Sequence, residues 1–522
     1  MVSSLDRVCV VIARTRHRMV AAEIQEAAKL GARMMELRLD FIARAPDLHR
    51  LLDRKPCPMI ATIRRREDGG RWKGTEEARR MLLRQCIVGG FDWVDLETDV
   101  ANEIVRFGST KRIVSYHNLE GVPDNLEDIY ERMCAQDPDV VKISVTAQQI
   151  PDNLRVIRLL QNAKKPTVAH CMGDLGFPSR VLSLKFGSPF IYAAFNEDRM
   201  IAPGMPTMWE MKNIYPIDKI NADTQVYGLI GDPVTHSLSP LLHNRLFQRH
   251  GFNGLYLPFR VPRGQLKAQI DSFDEVPVRG YSVTIPHKEG AALLSSKPDA
   301  IVEHTRSANT LIRIGNGSFA AANTDYQAVV DTLKLSLPDN EDGTPGTLQG
   351  KMVLILGAGG AGRAVAHALR KAGCVMTIAN RSPEKAHRLA DEIEGRVVDW
   401  MGRHVVATDI LINATSVGMH PNVDDTPIHA GYFQPGMIVL DLVYNPESTL
   451  MVKEARARDC RLITGVELFA RQAALQFEMF TGKSASLEQI RQIVRRALSP
   501  VTSMPEDEQE NVSDERARAE GH

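Results

Sequence analysis

A chain of 522 residues exceeds what one hydrophobic core supports and calls for two or three domains, and 43% hydrophobic residues with 6% aromatics is a globular α/β composition rather than a disordered or fibrous one. Lysine plus arginine balances aspartate plus glutamate at 64 each, so no net field draws the chain to nucleic acid or an anionic membrane, although local arginines can still hold small acids. The seven cysteines (9, 57, 86, 134, 171, 374, 460) are scattered, odd in number and without a Cys-x-x-Cys pair, which argues against a disulfide framework or a zinc site and predicts reduced thiols.

The chain passes almost at once into the apolar run 8–13, with no signal or transit segment before it. No stretch reaches the ~20 apolar residues of a membrane span, so a cytoplasmic location is expected. Short apolar runs then recur at 34–39, 59–63, 93–96, 113–116, 140–144, 166–169 and 190–194, eight in all with the first. Helix-like segments such as 20–30, 76–87, 126–134 and 153–163 lie between them, and this alternation predicts a (βα)8 TIM barrel.

In such a barrel the chemistry gathers at the C-terminal ends of the strands. Those ends offer Glu36, Arg38, Arg64, Glu97, His117, Lys142 and His170, with Arg180 in the loop before the eighth strand. Singly each is ordinary, since an arginine there is more often salt-bridged and a lone His117 is about as often structural as catalytic. Together they point to a site. A lysine entering the barrel on the sixth strand is expected to be desolvated, which disfavours its charged form and frees the amine to attack a carbonyl, while His117 on the neighbouring strand moves protons.

The motifs Glu36-Leu37-Arg38-Leu39-Asp40, Thr62-Ile63-Arg64 followed by Gly69 and Gly70, Ser115-Tyr116-His117, Val141-Lys142-Ile143, Ser179-Arg180 and Ala202-Pro203-Gly204 resemble type I 3-dehydroquinate dehydratases over residues 1–215. The resemblance implies that Lys142 forms an imine with the substrate ketone. His117 would remove the adjacent proton and protonate the departing hydroxyl. Arg64 and Arg180 would hold the carboxylate and ring hydroxyls, with Glu36 and Arg38 completing the pocket, because a planar guanidinium suits a carboxylate. The chain departs from the family at Asp68, where a glutamate usually precedes the double glycine, and at Ile201 and Met205, where serine and glutamine usually flank Ala-Pro-Gly. Asp68 is expected to orient His117 as a shorter carboxylate, and the loop over the substrate is expected to differ.

After a linker-like stretch at 214–224, the run 226–230 and the polar turn 231–240 open a new domain. Farther on, the run 352–356 leads into Gly357-Ala358-Gly359-Gly360-Ala361-Gly362 and a helical segment at 363–371, the strand, glycine turn and helix of a dinucleotide fold. Such glycines let the backbone approach a pyrophosphate at the helix N-terminus. The next strand, 375–379, ends in Asn380-Arg381-Ser382 with Lys385 beyond, where an NAD site would place an acid about 20 residues after the glycines. A cation there predicts NADP; the plainer reading of Arg381 is a surface charge.

Ser237-Leu238-Ser239, Ser282-Val283-Thr284-Ile285-Pro286-His287-Lys288, Asn309-Thr310, Asn323-Thr324-Asp325, Asn413-Ala414-Thr415-Ser416-Val417-Gly418-Met419, Tyr444-Asn445-Pro446 and the segment 465–472 resemble shikimate dehydrogenases over residues 222–495. The resemblance implies a substrate domain at 222–330, a Rossmann NADP domain at 345–465 and C-terminal helices at 466–498 that return Gln472 and Gln476 to the substrate. Lys288 and Asp325 become the proton-transfer pair. Ser237 and Ser239 would bind the substrate carboxylate, with Thr284, Asn309, Tyr444, Gln472 and Gln476 on the rest of the substrate. The cofactor would take Gly357, Ala358, Gly359, Gly360, Ala361, Gly362, Asn380, Arg381, Ser382, Lys385, Thr415, Ser416 and Gly465. Each serine alone also reads as a turn or helix cap. Tyr326 stands where a glycine often follows the aspartate.

The stretch 337–349 is expected to be a surface insertion, and the charged tail 499–522 to be disordered. The first resemblance implies a product, 3-dehydroshikimate, that is the substrate implied by the second. The chain is therefore expected to be a bifunctional enzyme of the shikimate pathway, serving aromatic amino acid biosynthesis, with NADP and no metal. Two alternatives stand beside it: a quinate dehydrogenase in the second half, against which Ser239 and Thr284 weigh, and a metabolite-sensing regulator. Intact Lys142, His117, Lys288 and Asp325, and the lack of a basic DNA-binding segment, weigh against the regulator.

Overall fold

Strands buried on both faces read as continuous apolar runs, and eight of them build the first part of the chain. They are β1 (Val8–Ile12), β2 (Met35–Arg38), β3 (Met59–Thr62), β4 (Trp93–Glu97), β5 (Lys111–Asn118), β6 (Val140–Thr146), β7 (Thr167–Met172) and β8 (Ile191–Ala194). All their ladders are parallel, in the order β7-β6-β5-β4-β3-β2-β1-β8, so β1 pairs with both β2 and β8 and the sheet curls into a nearly closed barrel. The computed structural model describes residues 6–53, 55–235, 237–315, 317–340 and 344–499; the tail from residue 500 and positions 341–343 of the expected insertion lie outside them.

The expected helices at 20–30, 76–87, 126–134 and 153–163 correspond to His17–Lys29, Glu76–Val88, Leu126–Cys134 and Asp152–Gln161. Glu76–Val88 shows why they form. Thr75 caps it by accepting a bond from the Ala78 amide, Glu76 and Glu77 sit in the first turn, and Leu82, Leu83, Cys86 and Ile87 give it a buried face at helical spacing.

Alternate inward residues divide the barrel interior by chemistry. Cys9, Val11, Ile60, Trp93, Ile113, Val140, Val168, Phe190 and Tyr192 form one apolar cluster. Met205 belongs to the same cluster, and Ile201 and Ala202 pack against it, so the two apolar departures beside Ala-Pro-Gly dock that loop onto the barrel core. At the other end of the interior, β5, β6 and β7 run farther than their apolar stretches, to Asn118, Thr146 and Met172. Ladder bonding continues past the runs 113–116 and 166–169, so His117 and His170 lie within strands, as Ser144 does.

The linker-like stretch is not a free tether. Arg7 donates from Nη1 to the Ile220 carbonyl at 2.7 Å and to Ile217 at 3.3 Å, and Thr224 Oγ1 donates to Asn253 Oδ1 at 2.8 Å. Beyond it, β9 (Gln225–Gly231), β10 (Gly254–Arg260), β11 (Val278–Val283), β12 (Lys297–Pro298), β13 (Thr310–Arg313) and β14 (Phe319–Ala322) form a sheet in the order β10-β9-β11-β13-β14-β12. β9 pairs parallel with β10 and β11, and β13 joins antiparallel.

The described chain divides into two compact units. One runs to Lys297 and includes Thr310–Ala320; the other holds Pro298–Asn309 and continues from Ala321. The second unit contains β15 (Met352–Leu356), β16 (Val375–Ala379), β17 (Arg396–Val398), β18 (Ile410–Asn413), β19 (Ile438–Asp441) and β20 (Arg461–Ile463), all parallel in the order β17-β16-β15-β18-β19-β20. Renumbered from its first strand this order is 3-2-1-4-5-6, the doubly wound dinucleotide-binding topology, whose crevice opens where the order reverses between β15 and β18. Tyr326 packs into this unit's core with Val329, Leu333 and Leu369, which accounts for a large ring at that position.

Candidate functional site

Lys142 points into the barrel from β6 and is almost fully buried. Its Nζ lies 3.1 Å from Glu36 Oε1 and 3.0 Å from Asp95 Oδ2, and 4.0 Å from the centroid of the Tyr192 ring. Glu36 also accepts from Thr62 Oγ1 at 2.8 Å, and Asp95 from Ser115 Oγ at 2.6 Å. The barrel removes water from Lys142, as its place on the sixth strand implied, and two carboxylates take up positions around the amine.

Arg64 is held by three acceptors. Its Nη1 donates to Glu97 Oε1 and to Ser115 Oγ, both at 2.9 Å, and its Nη2 is 2.9 Å from Asp95 Oδ2. Glu97 in turn accepts from Arg79, whose buried guanidinium comes from the helix Glu76–Val88. Burial raises the Asp95 carboxyl, but Arg64 and then Lys142 outweigh it and hold the group well below the usual carboxylate range. Asp95 and Tyr192 were missed in the sequence reading. The signal for Asp95 was there: it alternates with Glu97 along β4, and in a barrel strand alternate residues share the interior face.

His117 on β5 is kept neutral by burial first and then by the nearby charges of Arg64 and Lys142, which push its pKa well below the usual histidine value. Its Nδ1 is buried and has no hydrogen-bond partner among the described residues. Asp68 does not supply one. Its carboxylate accepts from Arg65 Nε at 2.8 Å, three residues away, and no hydrogen bond joins it to His117. Arg38 is likewise committed, forming a bidentate pair with Asp40 at 2.9 and 2.8 Å that ties the end of β2 to the loop after it.

Arg180, from the helix Phe177–Leu182, is 2% exposed, and its Nε and Nη2 have no partner among the described residues. Burial pushes its pKa down to about 10. A buried guanidinium without a carboxylate is costly unless an anion fills the space, and the Arg180 side chain is suited to take one. His170, also buried and held neutral by burial, Arg180 and Lys142, lies 3.4 Å by Nε2 from Ser144 Oγ. The barrel end thus joins a buried lysine, a neutral histidine and a guanidinium without a partner among the described residues, which suits imine chemistry on a carboxylate-bearing ketone.

In the first unit's second sheet, the expected residues gather at the C-terminal ends of β9 and β11. The Asp232 amide donates to the Ile285 carbonyl at 3.0 Å and the Thr284 amide to Ile230 at 2.8 Å, which joins the loop carrying Ser237 and Ser239 to the loop carrying Lys288. Ser237 Oγ accepts the Ser239 amide at 3.2 Å, so it also performs the turn role weighed in the sequence, and Ser239 opens the helix Ser239–Arg249. Lys288 is the first residue of a helix, Lys288–Leu294.

The second unit collects the remaining polar residues around the start of the helix Thr324–Ser336. The Asn309 side chain donates to Thr324 Oγ1 at 2.9 Å and accepts the Thr324 amide at 2.8 Å, and Asp325 sits in the first turn beside it. The helix Gly465–Thr481 brings Gln472 and Gln476, one turn apart: Gln472 Oε1 is 3.5 Å from Thr324 Oγ1, and Gln476 Nε2 donates to the Asn309 carbonyl at 3.1 Å. Tyr444 stacks on Phe469 with ring centroids 5.8 Å apart.

The glycine turn fits a dinucleotide. Gly357 has φ of 108°, a conformation that favours glycine, and a Cβ on Gly362 would meet the Gly357 carbonyl oxygen at 2.1 Å, so the helix Gly360–Lys371 packs as close as only glycine permits. Open space surrounds Gly359 where a phosphate would approach. The Ala358 amide donates to Asn380 Oδ1 at 3.1 Å, and Asn380 Nδ2 to the Ser382 carbonyl at 3.0 Å, which fixes the end of β16 and leaves Arg381 and Lys385 exposed beside it. Thr415 is used locally, donating to Asn413 Oδ1 at 2.6 Å, Ser416 is exposed, and a Cβ on Gly465 would meet the Val443 carbonyl oxygen at 2.6 Å. Among the described residues no helix is long and apolar enough to cross a membrane, and no cluster of His, Cys, Asp and Glu is arranged to hold a metal.

Comparison with known proteins finds four families along the chain: type I 3-dehydroquinase at residues 8–222, the shikimate dehydrogenase substrate binding domain at 229–311, shikimate / quinate 5-dehydrogenase at 341–442, and the shikimate 5'-dehydrogenase C-terminal domain at 465–495. A bifunctional 3-dehydroquinate dehydratase/shikimate dehydrogenase of Arabidopsis thaliana, described as chloroplastic, is 35% identical over 494 residues, 91% of this chain and 82% of the plant protein. The NADP(+) shikimate dehydrogenase of Moorella thermoacetica is 37% identical over 298 residues, 55% of this chain and 98% of its own, and that of Geobacillus kaustophilus is 38% identical over 280 residues, 52% and 99%.

Proposed function

Because this chain belongs to the family of bifunctional 3-dehydroquinate dehydratase/shikimate dehydrogenases, we propose that its barrel dehydrates 3-dehydroquinate and that the rest of the chain reduces the resulting 3-dehydroshikimate to shikimate with NADPH. The chain is a shikimate-pathway enzyme with a lyase and an oxidoreductase activity. Residues 1–215 form the dehydratase, 222–330 the substrate domain, 345–465 the NADP domain and 466–498 the closing helices. The seven cysteines, none in a disulfide, support a reducing compartment, and cytoplasm is our reading of it. Its partners are these small molecules.

One observation carries the dehydratase reading: Lys142 between two carboxylates at a barrel end that also holds an unpaired buried Arg180. Arg180 takes the substrate carboxylate. A neighbouring carboxylate, Glu36 or Asp95, takes a proton from Lys142, the amine attacks the ketone carbon, and that proton together with a second one from the nitrogen leaves on the ketone oxygen as water while the iminium keeps one N–H. Neutral His117 removes the proton from the adjacent carbon, and the iminium accepts the electron pair as an enamine. His117, now protonated, gives that proton to the departing hydroxyl, which leaves as a second water. Hydrolysis consumes one water and frees Lys142, so the net change is loss of one water.

For the reduction, bound NADPH supplies a hydride to the ketone carbon. Lys288 gives the proton that the carbonyl oxygen needs, and Asp325 is the carboxylate assigned to proton transfer with it. In the first unit Ser237 and Ser239 are assigned to the substrate carboxylate and Thr284 to the ring; in the second unit Asn309, Tyr444, Gln472 and Gln476 are assigned to the rest of the substrate. The turn from Gly357 to Gly362 would hold the cofactor's phosphates, and Arg381 with Lys385 would favour the 2′-phosphate of NADP over a bare ribose.

Borohydride in the presence of 3-dehydroquinate tests the dehydratase half. Reduction of the iminium should add the substrate's mass to the peptide holding Lys142, and an unlabelled Lys142 in active enzyme would refute the role given to it.

A further inference from the structure

The ladders of the barrel set three polar residues in one row. His117 of β5 stands opposite Ser144 of β6, and Ser144 stands opposite His170 of β7. Residues paired across adjacent strands share a face, and Lys142, two residues before Ser144, shares it too. Ser144 and His170 are both buried and joined at 3.4 Å between Oγ and Nε2. The charges that face His170 are those of Arg180 and Lys142, both cations, and its ring is neutral beside them. A neutral imidazole has a donor nitrogen and an acceptor nitrogen, so it can fix a hydroxyl without adding charge there.

His117 lacks a comparable partner. The charges facing it come from Arg64 on the β3 end, Lys142 on β6, Asp95 on β4 and Arg38 on β2. Its buried Nδ1 is unpaired, and Asp68 is bound to Arg65. In an imidazole that takes a proton at one nitrogen, the bond made by the other sets the tautomer and the ring angle. The neutral hydrogen-bonding side chain next to His117 in the row is Ser144.

We propose that Ser144 and His170 are positioning residues of the dehydration: as substrate fills the barrel, His117 Nδ1–H donates to Ser144 Oγ, whose own O–H donates to His170 Nε2, and Nε2 of His117 is left as the base. This rests on the reading of Lys142 and His117 as the dehydratase pair. The chain of bonds transfers no proton of its own; it fixes the direction from which His117 takes one.

The test compares Ser144→Ala, His170→Leu and His170→Gln, each alone and with His117→Ala, in the full-length enzyme. Reduction of 3-dehydroshikimate by NADPH reports folding, and borohydride labelling of Lys142 reports imine formation. Ser144→Ala and His170→Leu should lower kcat for dehydration about tenfold or more while KM stays within about twofold. Imine labelling should persist, and His170→Gln, whose amide reaches the same hydroxyl, should recover most of the rate. In the His117→Ala background Ser144→Ala should cost nothing further. An unchanged kcat, a rise in KM alone, or an equal loss with and without His117 would overturn the proposal. If the wild-type enzyme makes no imine on Lys142, the dehydratase reading fails and this positioning role falls with it; labelling in the wild type with indifferent variants defeats the positioning role alone.

Discussion

Lys142 Nζ and Asp95 Oδ2 lie 3.0 Å apart inside the barrel, and the same carboxylate oxygen is 2.9 Å from Arg64 Nη2. One buried acid therefore fixes both the nucleophile and the arginine beside it. Asp95→Asn removes that charge but keeps the shape. Breaking a buried pair in this way costs about 3 kcal/mol or more of stability. The melting temperature should fall clearly, and the rate of borohydride labelling at Lys142 should fall with it. A variant as stable and as readily labelled as the wild type would show that Asp95 has neither role.

Arg180 should behave in the opposite sense. It is buried without a partner, so Arg180→Met removes an uncompensated charge and should stabilise the protein by about 1–3 kcal/mol, the cost of leaving a buried polar group unsatisfied. The same change should raise KM for 3-dehydroquinate at least tenfold, because the substrate carboxylate loses its guanidinium. Calorimetry and steady-state kinetics on one preparation check both. A loss of stability with KM unchanged would mean that a protein group, not the substrate, satisfies Arg180.

The histidines set a pH dependence. Burial lowers the pKa of both His117 and His170, so the folded protein refuses protons that the unfolded chain takes up below about 6.5, and each group subtracts stability as pH falls from there toward its folded value. His170→Gln should therefore flatten the fall of stability between pH 6.5 and 5 by up to about 1.4 kcal/mol per pH unit. Since His117 stays neutral below 6.5, the acid limb of dehydratase kcat/KM should also lie below that pH. Equal slopes in variant and wild type, or a limb at 6.5 or above, would contradict the buried neutral state.

Arg381 is exposed beside the glycine turn, in a strand end that carries no acid. Arg381→Glu should raise KM for NADPH about tenfold or more and leave that for NADH nearly unchanged. Equal effects on the two cofactors would show that Arg381 does not read the 2′-phosphate.

The barrel was legible because β-branched runs recur eight times and because a lysine inside such a run, as at Lys142, needs a reason. The Rossmann domain was legible in a strand, a glycine turn and a helix in sequence, while its strand order was not. What stayed hidden depended on side-chain reach. Asp95 sits in a run that reads as apolar, and only its alternation with Glu97 betrays an interior acid. Asp68 reads as a partner for His117 until Arg65, three residues before it, captures it at 2.8 Å. Ser144 and His170 became a pair through the register of the β6–β7 ladder, which no local pattern encodes.

The central claim is that one chain carries out two consecutive reactions, and the most direct measurement supplies purified full-length enzyme with 3-dehydroquinate and NADPH and quantifies 3-dehydroshikimate and shikimate over time. Shikimate should accumulate with stoichiometric NADPH oxidation. Lys142→Ala should stop that flux while still reducing added 3-dehydroshikimate, and Lys288→Ala should let 3-dehydroshikimate build up. No shikimate from either substrate with the wild-type enzyme, or loss of both reactions in a well-folded Lys142→Ala protein, would contradict the account.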